Sequence, residues 1–182
     1  MRAITTRELS PVTGAPILLP DPDHVVHLQF RRFAGCPVCN LHLRSIVTRH
    51  DEILAVGVRE VVVFHSSADE LRKHTMDLPF AVIADPGKAL YREFRVESGR
   101  RALLSPRAWA PIALGILTAL RRRDRTPSLN PTGGRLGLPA DFLIASDGRV
   151  LAEKHGEYVY DQWSVDELLT LAGAARSERS AS

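Results

Sequence analysis

Cysteine is scarce in this chain. Its 182 residues include two, Cys36 and Cys39, with Pro37 and Val38 between them. So few cannot build the disulfide framework that holds a small secreted domain together. A long uninterrupted apolar run is also missing: the longest, Ala108–Leu120, is broken by Pro111 and Gly115. As a helix it reaches roughly 20 Å, short of the roughly 30 Å hydrocarbon core of a bilayer, so no membrane span is expected. Met1–Pro20 mixes Arg2, Arg7 and Glu8 with prolines and lacks the apolar stretch of a secretory signal,. The cytoplasm is therefore the expected location. Two cysteines in a reducing compartment point to catalysis or metal binding rather than to a structural bridge. A strong overall charge is absent as well. The net +3 is too small to imply a nucleic-acid partner.

What excess charge there is lies in one place. Residues 100–135 hold eight arginines against Asp124 alone, a local +7 that leaves −4 for the rest of the chain. The length suits one core with additions. Met1–Asp23 is rich in Pro and polar residues and reads as a lead-in. Val25–Phe33 has strand composition, and from Cys39 the apolar residues Leu43, Ile46, Val47, Ile53 and Leu54 follow helical spacing to about Val56, where Gly57 stops it,. Glu60–Ser66 is the continuous apolar run of a buried strand. Ser67-Ala68-Asp69-Glu70 is a capping box opening a helix to about Met76. Phe80–Ala84 is a further strand, and Asp85-Pro86 starts a helix with Leu90 and Phe94 on one face.

Ala140–Ala145 and Val150–Glu157 form a hairpin around Asp147-Gly148,. A second capping box, Ser164–Glu167, opens the terminal helix. The order βαβαβα, insertion, hairpin, α predicts an α/β fold with a mixed sheet flanked by helices. Its parts are an N-terminal extension (1–24), a main domain (25–175) carrying a basic insertion (97–137), and a flexible polar tail (176–182).

The dithiol falls where that fold makes a cysteine reactive. A thiolate is the attacking species, and Cys36 lies at a strand-to-helix junction, where free N–H groups and the helix dipole favour an anion. Pro37 suits the first helical turn. Cys39 is one turn further in, placed to close a disulfide with Cys36. Two other readings stay open. Cys36, Cys39 and His42 form a C-x2-C-x2-H pattern that is half a zinc site, though no second such pair follows,. The cysteines are otherwise simply small buried apolar residues.

With Phe33-Ala34-Gly35-Cys36-Pro37-Val38-Cys39, the strand ending in His65-Ser66-Ser67, the Ala84-Asp85-Pro86 close and Leu138-Pro139-Ala140-Asp141-Phe142 before Asp147-Gly148, Val25–Gly173 resembles the thioredoxin superfamily. In particular it is similar to the alkyl hydroperoxide reductase / thiol-specific antioxidant family of peroxiredoxin-like proteins. The resemblance implies a thioredoxin-like fold, an antioxidant thiol-dependent oxidoreductase without a cofactor, and Cys36 and Cys39 as its catalytic pair. It also implies a cis proline at Pro139 packed beside the dithiol, whose backbone pairs with an extended substrate. Pro37 and Pro139 are thus the expected substrate contacts. A thioredoxin- or glutathione-type reductant is expected as partner, with a disulfide or peroxide as substrate.

The departures are specific. The peroxide-reducing motif P-x-x-x-T/S-x-x-C has Gln29 in place of its Pro and Phe33 in place of its Thr, and Pro139 stands near the place of the usual Arg. Disulfide exchange, with slow peroxide reduction, is the resulting expectation. Gln29 and Arg31 are the residues available to substitute in part.

Arg31 and Arg32 precede the dithiol. Strand alternation sends them to opposite faces, so one of the two, Arg32 by preference, is the candidate thiolate stabiliser. His65 ends a central strand and reads equally as a core residue; His155 reads as structural. The insertion, with Ala102–Leu104, Trp109 and Ile112–Leu120, reads as a packing helix with charged ends, ahead of an amphipathic surface for lipid or protein. Gly133, Gly134 and Gly137 carry no nucleotide fingerprint. A redox-sensing or partner-binding module is the alternative function, and a homodimer is compatible with a sequence that leaves the oligomeric state open.

Overall fold

A computed structural model describes residues 3–75, 77–96, 109–122, 134 and 137–180. Its centre is β3 (Val25–Arg31), all seven residues of which are buried. β3 pairs in parallel with β4 (Val58–Phe64), register Val25↔Val58, and antiparallel with β6 (Ala140–Ile144). β5 (Ala81–Ala84) and β7 (Val150–His155) complete a five-stranded mixed sheet in the order β5-β4-β3-β6-β7. Among the described residues the helices are α1 (Pro37–Thr48), α2 (His50–Ala55), α3 (Ala68–Arg72), α4 (Ala89–Glu93), α5 (Trp109–Arg122) and α6 (Val165–Ser180).

Strand alternation divides the core. Leu28 and Phe30 of β3, Val61 and Val63 of β4 and Phe142 of β6 pack with Tyr91 of α4 and with Phe94, which caps its C-terminus. On the other face Val62, Phe64 and the cysteines pack with Val38 and Leu43 of α1, and Leu143 packs with Trp163 and Leu168.

Several boundaries differ from those read in the sequence, each for a local reason. The lead-in is an antiparallel hairpin, β1 (Arg7–Leu9) with β2 (Ile17–Leu19). Its Leu9, Ile17 and Leu19 alternate into the core, and the Val12 N–H donates to the Val82 carbonyl, covering the β5 edge,. The single helix expected to Val56 breaks at Arg49 (φ −116°, ψ 23°), which caps both α1 and α2. α3 ends at Arg72, short of Met76, though its Ser67/Glu70 capping box is present. α4 begins at Ala89, three residues after Pro86, and the Asp85 carboxylate accepts from the N–H groups of Ala89 and Leu90 at 2.8 Å each. α6 continues through Ser180, where a tail from Arg176 was expected. No Gly or Pro follows Gly173 to stop it,. Ala102–Leu104 lies outside the described residues.

Candidate functional site

The turn between β3 and α1 carries the dithiol. Gly35 takes φ 75°, a conformation open mainly to glycine,. The Cys36 N–H closes on the Phe33 carbonyl at 3.1 Å, and Ala34 N–H donates to Ser66 Oγ at 2.9 Å, tying the turn to the end of β4. Cys36 is the N-cap of α1, Pro37 opens the first turn, and no acidic side chain stands there to oppose an anion.

Both cysteines are free thiols. Their environments push them apart. Burial raises Cys36, but the Cys39 thiol donating to it, the Arg32 charge and the N–H groups of Cys39 and Val38 outweigh that, bringing it to about 7. Burial raises Cys39 well above the ordinary thiol range, and the hydrogen bond to Cys36 and the Cys36 charge raise it further. Arg32 Nη1 stands 3.9 Å from Cys36 Sγ, and its guanidinium lies 5.3 Å from the Phe33 ring centre. Cys36, Cys39, Pro37 and Arg32 are thus together.

Arg31 and Gln29 are elsewhere. They belong to a buried row of hydrogen-bonded side chains. Arg31 Nη2 donates to Asp141 Oδ1 at 2.8 Å and to Gln29 Oε1 at 2.6 Å. Gln29 donates to Glu60. His27 bridges Glu60 (2.9 Å) and Asp141 (3.1 Å). Burial lowers the His27 imidazole, but the two carboxylates more than reverse this and hold it at about 9. In Asp141 the Arg31 charge and the His27 bond overcome a burial that raises it, holding it well below the usual carboxylate range. His42, the third member of the zinc-like pattern, turns its ring edge-on to Tyr160. Among the described residues no group of three or more His, Cys, Asp or Glu side chains is arranged to hold a metal.

Pro139 requires a correction. The Leu138–Pro139 bond is trans, and the cis bond among the described residues is Leu19–Pro20. The Pro139 carbonyl accepts from Gly156 N–H at 2.9 Å, the pairing expected of an ordinary extended proline at a strand start. A Cβ at Gly156 would sit 2.8 Å from Pro139 Cγ, so the chain there is closed up.

Access is the part the sequence did not show. Cys36 is 1% exposed, and α5 lies against the turn that carries it. A Cβ on Gly115 would come within 3.0 Å of the Pro37 carbonyl group and 3.2 Å of Val38 N, so glycine is what permits this approach. The glycine inside an otherwise apolar helical run was the available signal. On the next side, Gly137 lets the chain pass close to Arg32 and to His65, which is buried at the end of β4 with its ring edge toward Tyr91.

Solved structures share this architecture. Peroxidoxin BcpB from Mycobacterium tuberculosis matches with TM-score 0.68 at 19% identity, covering 95% of each chain. A reduced 2-Cys peroxiredoxin of Plasmodium vivax gives TM-score 0.69 at 14% identity, over 98% of this chain and 82% of that one. A putative thiol:disulfide interchange protein DsbE from Chlorobium tepidum gives 0.56 at 20% identity, over 95% and 94%. At these identities the likeness is one of fold. No curated protein matches the chain. Residues 45–157 match the family described as AhpC/TSA antioxidant enzyme, a stretch that begins after the dithiol and spans more than half the chain. The chain belongs to the AhpC/TSA antioxidant enzyme family, on a thioredoxin-like fold.

Proposed function

We propose that the protein is a thiol-dependent oxidoreductase that cycles Cys36 and Cys39 between dithiol and disulfide, in an antioxidant role. The observation that carries this reading is the placement of the two thiols: Cys36 caps the N-terminus of α1 with Arg32 Nη1 at 3.9 Å, and Cys39 is buried one turn inward, which lowers the first thiol and raises the second. Cys36 then ionises more readily than a free thiol near neutral pH, while Cys39 keeps its proton. The Cys36 thiolate attacks one sulfur of a substrate disulfide, whose S–S bond breaks as a mixed disulfide forms. Cys39 then attacks Cys36 sulfur, its proton passing to a departing thiolate. Two electrons have moved to the substrate, and an external thiol of thioredoxin or glutathione type restores the pair. The reducing cytoplasm suits such a cycle.

Peroxide separates this enzyme from a fast peroxidase. Oxygen–oxygen cleavage needs donors for the developing charge, and losing one such donor costs on the order of a hundredfold. Phe33 offers no hydroxyl, and Gln29 and Arg31 are committed to Glu60 and Asp141. Hydrogen peroxide is therefore expected to oxidise Cys36 only modestly faster than a free thiolate, while a small disulfide turns over readily. Stopped-flow oxidation of the reduced protein checks this; a peroxide rate several orders of magnitude above a free thiolate's contradicts it.

A second reading, a redox-responsive binding module, draws on the burial of Cys36 beneath α5. Partner binding that survives Cys36→Ser at unchanged affinity, without turnover of any disulfide, supports that reading instead.

A further inference from the structure

α5 is apolar on both sides. Toward the protein it presents Ile112 and Gly115, with Ile112 against the dithiol cluster. Away from it, Trp109 is 69% exposed and Leu120 70%, with Leu114, Ile116 and Leu117 exposed as well. The packing helix expected from the sequence thus leaves most of its large side chains uncovered. On a 3.6-residue repeat Trp109, Ile116, Leu117 and Leu120 share one stripe, and Arg121 and Arg122 follow it, both exposed. In sequence the helix sits inside the +7 segment, with Arg107 before it and Arg123 and Arg125 after.

We propose that the outer face of α5 docks on an anionic lipid surface. Charge decides between occupants. A second copy seated on the same face would bring no opposite charge to Arg121 and Arg122, whereas anionic headgroups supply it,. An exposed apolar helix face that ends in two exposed arginines, Arg121 and Arg122, has the chemistry of a helix lying in the interface plane,. α5 is about 21 Å long, enough to lie along the bilayer but not to cross it, and no helix among the described residues is long and apolar enough to cross a membrane. Because Gly115 rests on the Pro37–Val38 peptide, docking brings the dithiol within about one helix diameter, ~10 Å, of the headgroups. The proposal does not depend on the dithiol chemistry.

The two tryptophans make the test direct. Trp163 is buried and Trp109 exposed, so a change in emission on adding lipid reports Trp109. The full chain is titrated with vesicles of phosphatidylcholine alone and with added phosphatidylglycerol, followed by fluorescence and flotation. Binding and a blue shift are expected only with phosphatidylglycerol, weakening as salt rises. At about fivefold per arginine, Arg121→Gln with Arg122→Gln lowers partitioning on the order of twentyfold. Leu120→Ala lowers it at least about tenfold, at about fourfold per buried carbon lost. Absence of binding to the anionic vesicles, or binding that neither variant weakens, overturns the proposal. So does a dimer in solution that Leu120→Ala splits into monomers, which would place a second copy on this face.

Discussion

Cys36→Ser is expected to abolish disulfide turnover, by on the order of a thousandfold or more, the scale on which removing a nucleophile acts. A serine hydroxyl in the same place is not ionised at neutral pH, so Arg32 at 3.9 Å and the N–H groups of the first turn have no anion to hold. Cys39→Ser is expected to behave differently. Cys36 still attacks, but the thiol that would displace the substrate is gone, so a mixed disulfide on Cys36 accumulates. With peroxide the trapped species is a sulfenic acid on Cys36. Mass spectrometry of the two variants after one equivalent of substrate separates the roles. Adducts on Cys39 in the Cys36→Ser variant, or full turnover by either variant, contradict the assignment.

The second large effect concerns folding. Asp141 is fully buried and receives Arg31, His27 and the Trp163 N–H. Asp141→Ala leaves the buried Arg31 guanidinium with neutral acceptors only, Gln29 Oε1 and the Phe30 and Ala140 carbonyls, and leaves the His27 ring with Glu60 alone. Breaking a buried pair by removing one partner costs about 3–5 kcal/mol, a large share of the roughly 5–15 kcal/mol that holds a typical domain folded. Urea unfolding of the wild type and the variant measures it. A loss below about 1 kcal/mol would show that the row is not carrying stability.

The same row sets a pH dependence. His27 is raised in the folded state from 6.5 to about 9. Its contribution is full below about pH 6.5 and is lost as pH climbs through about 9. Asp141 is lowered from 3.8, so its contribution is present above that value and fades as pH falls below it. Stability from the row is expected to be greatest between about pH 4 and 6.5.

Much of the fold is legible because its signals are local. Ser67/Glu70 and Ser164/Glu167 both form their capping boxes, and Asp147-Gly148 turns the last hairpin with Gly148 at φ 85°. What is not legible depends on contacts distant in sequence. His27, Gln29 and Arg31 alternate with Val26, Leu28 and Phe30, the pattern of a strand with one wet face. β4 and β6 put that strand at the centre of the sheet, and Glu60 and Asp141, 33 and 114 residues from His27, meet the polar row there. The cis proline expected beside the dithiol is a trans residue bonded to Gly156, a pairing set by how β7 ends. The cover over Cys36 likewise rests on a helix packing 78 positions away, Gly115 on Pro37. Arg32 is an intermediate case: alternation separates it from Arg31, but only the turn at Gly35 brings it to the thiol.

The split between the two thiols is tested most directly by alkylation. Reduced protein is treated with iodoacetamide across pH 5–10, and each cysteine is followed by mass spectrometry. Burial under α5 slows the reaction at every pH, but the midpoint reports ionisation. Cys36 is expected to react first, with a midpoint at about 7, against about 8.5 for a free cysteine, while Cys39 stays unmodified through the neutral range. Labelling of Cys39 ahead of Cys36, or a Cys36 midpoint at or above that of a free thiol, contradicts the account.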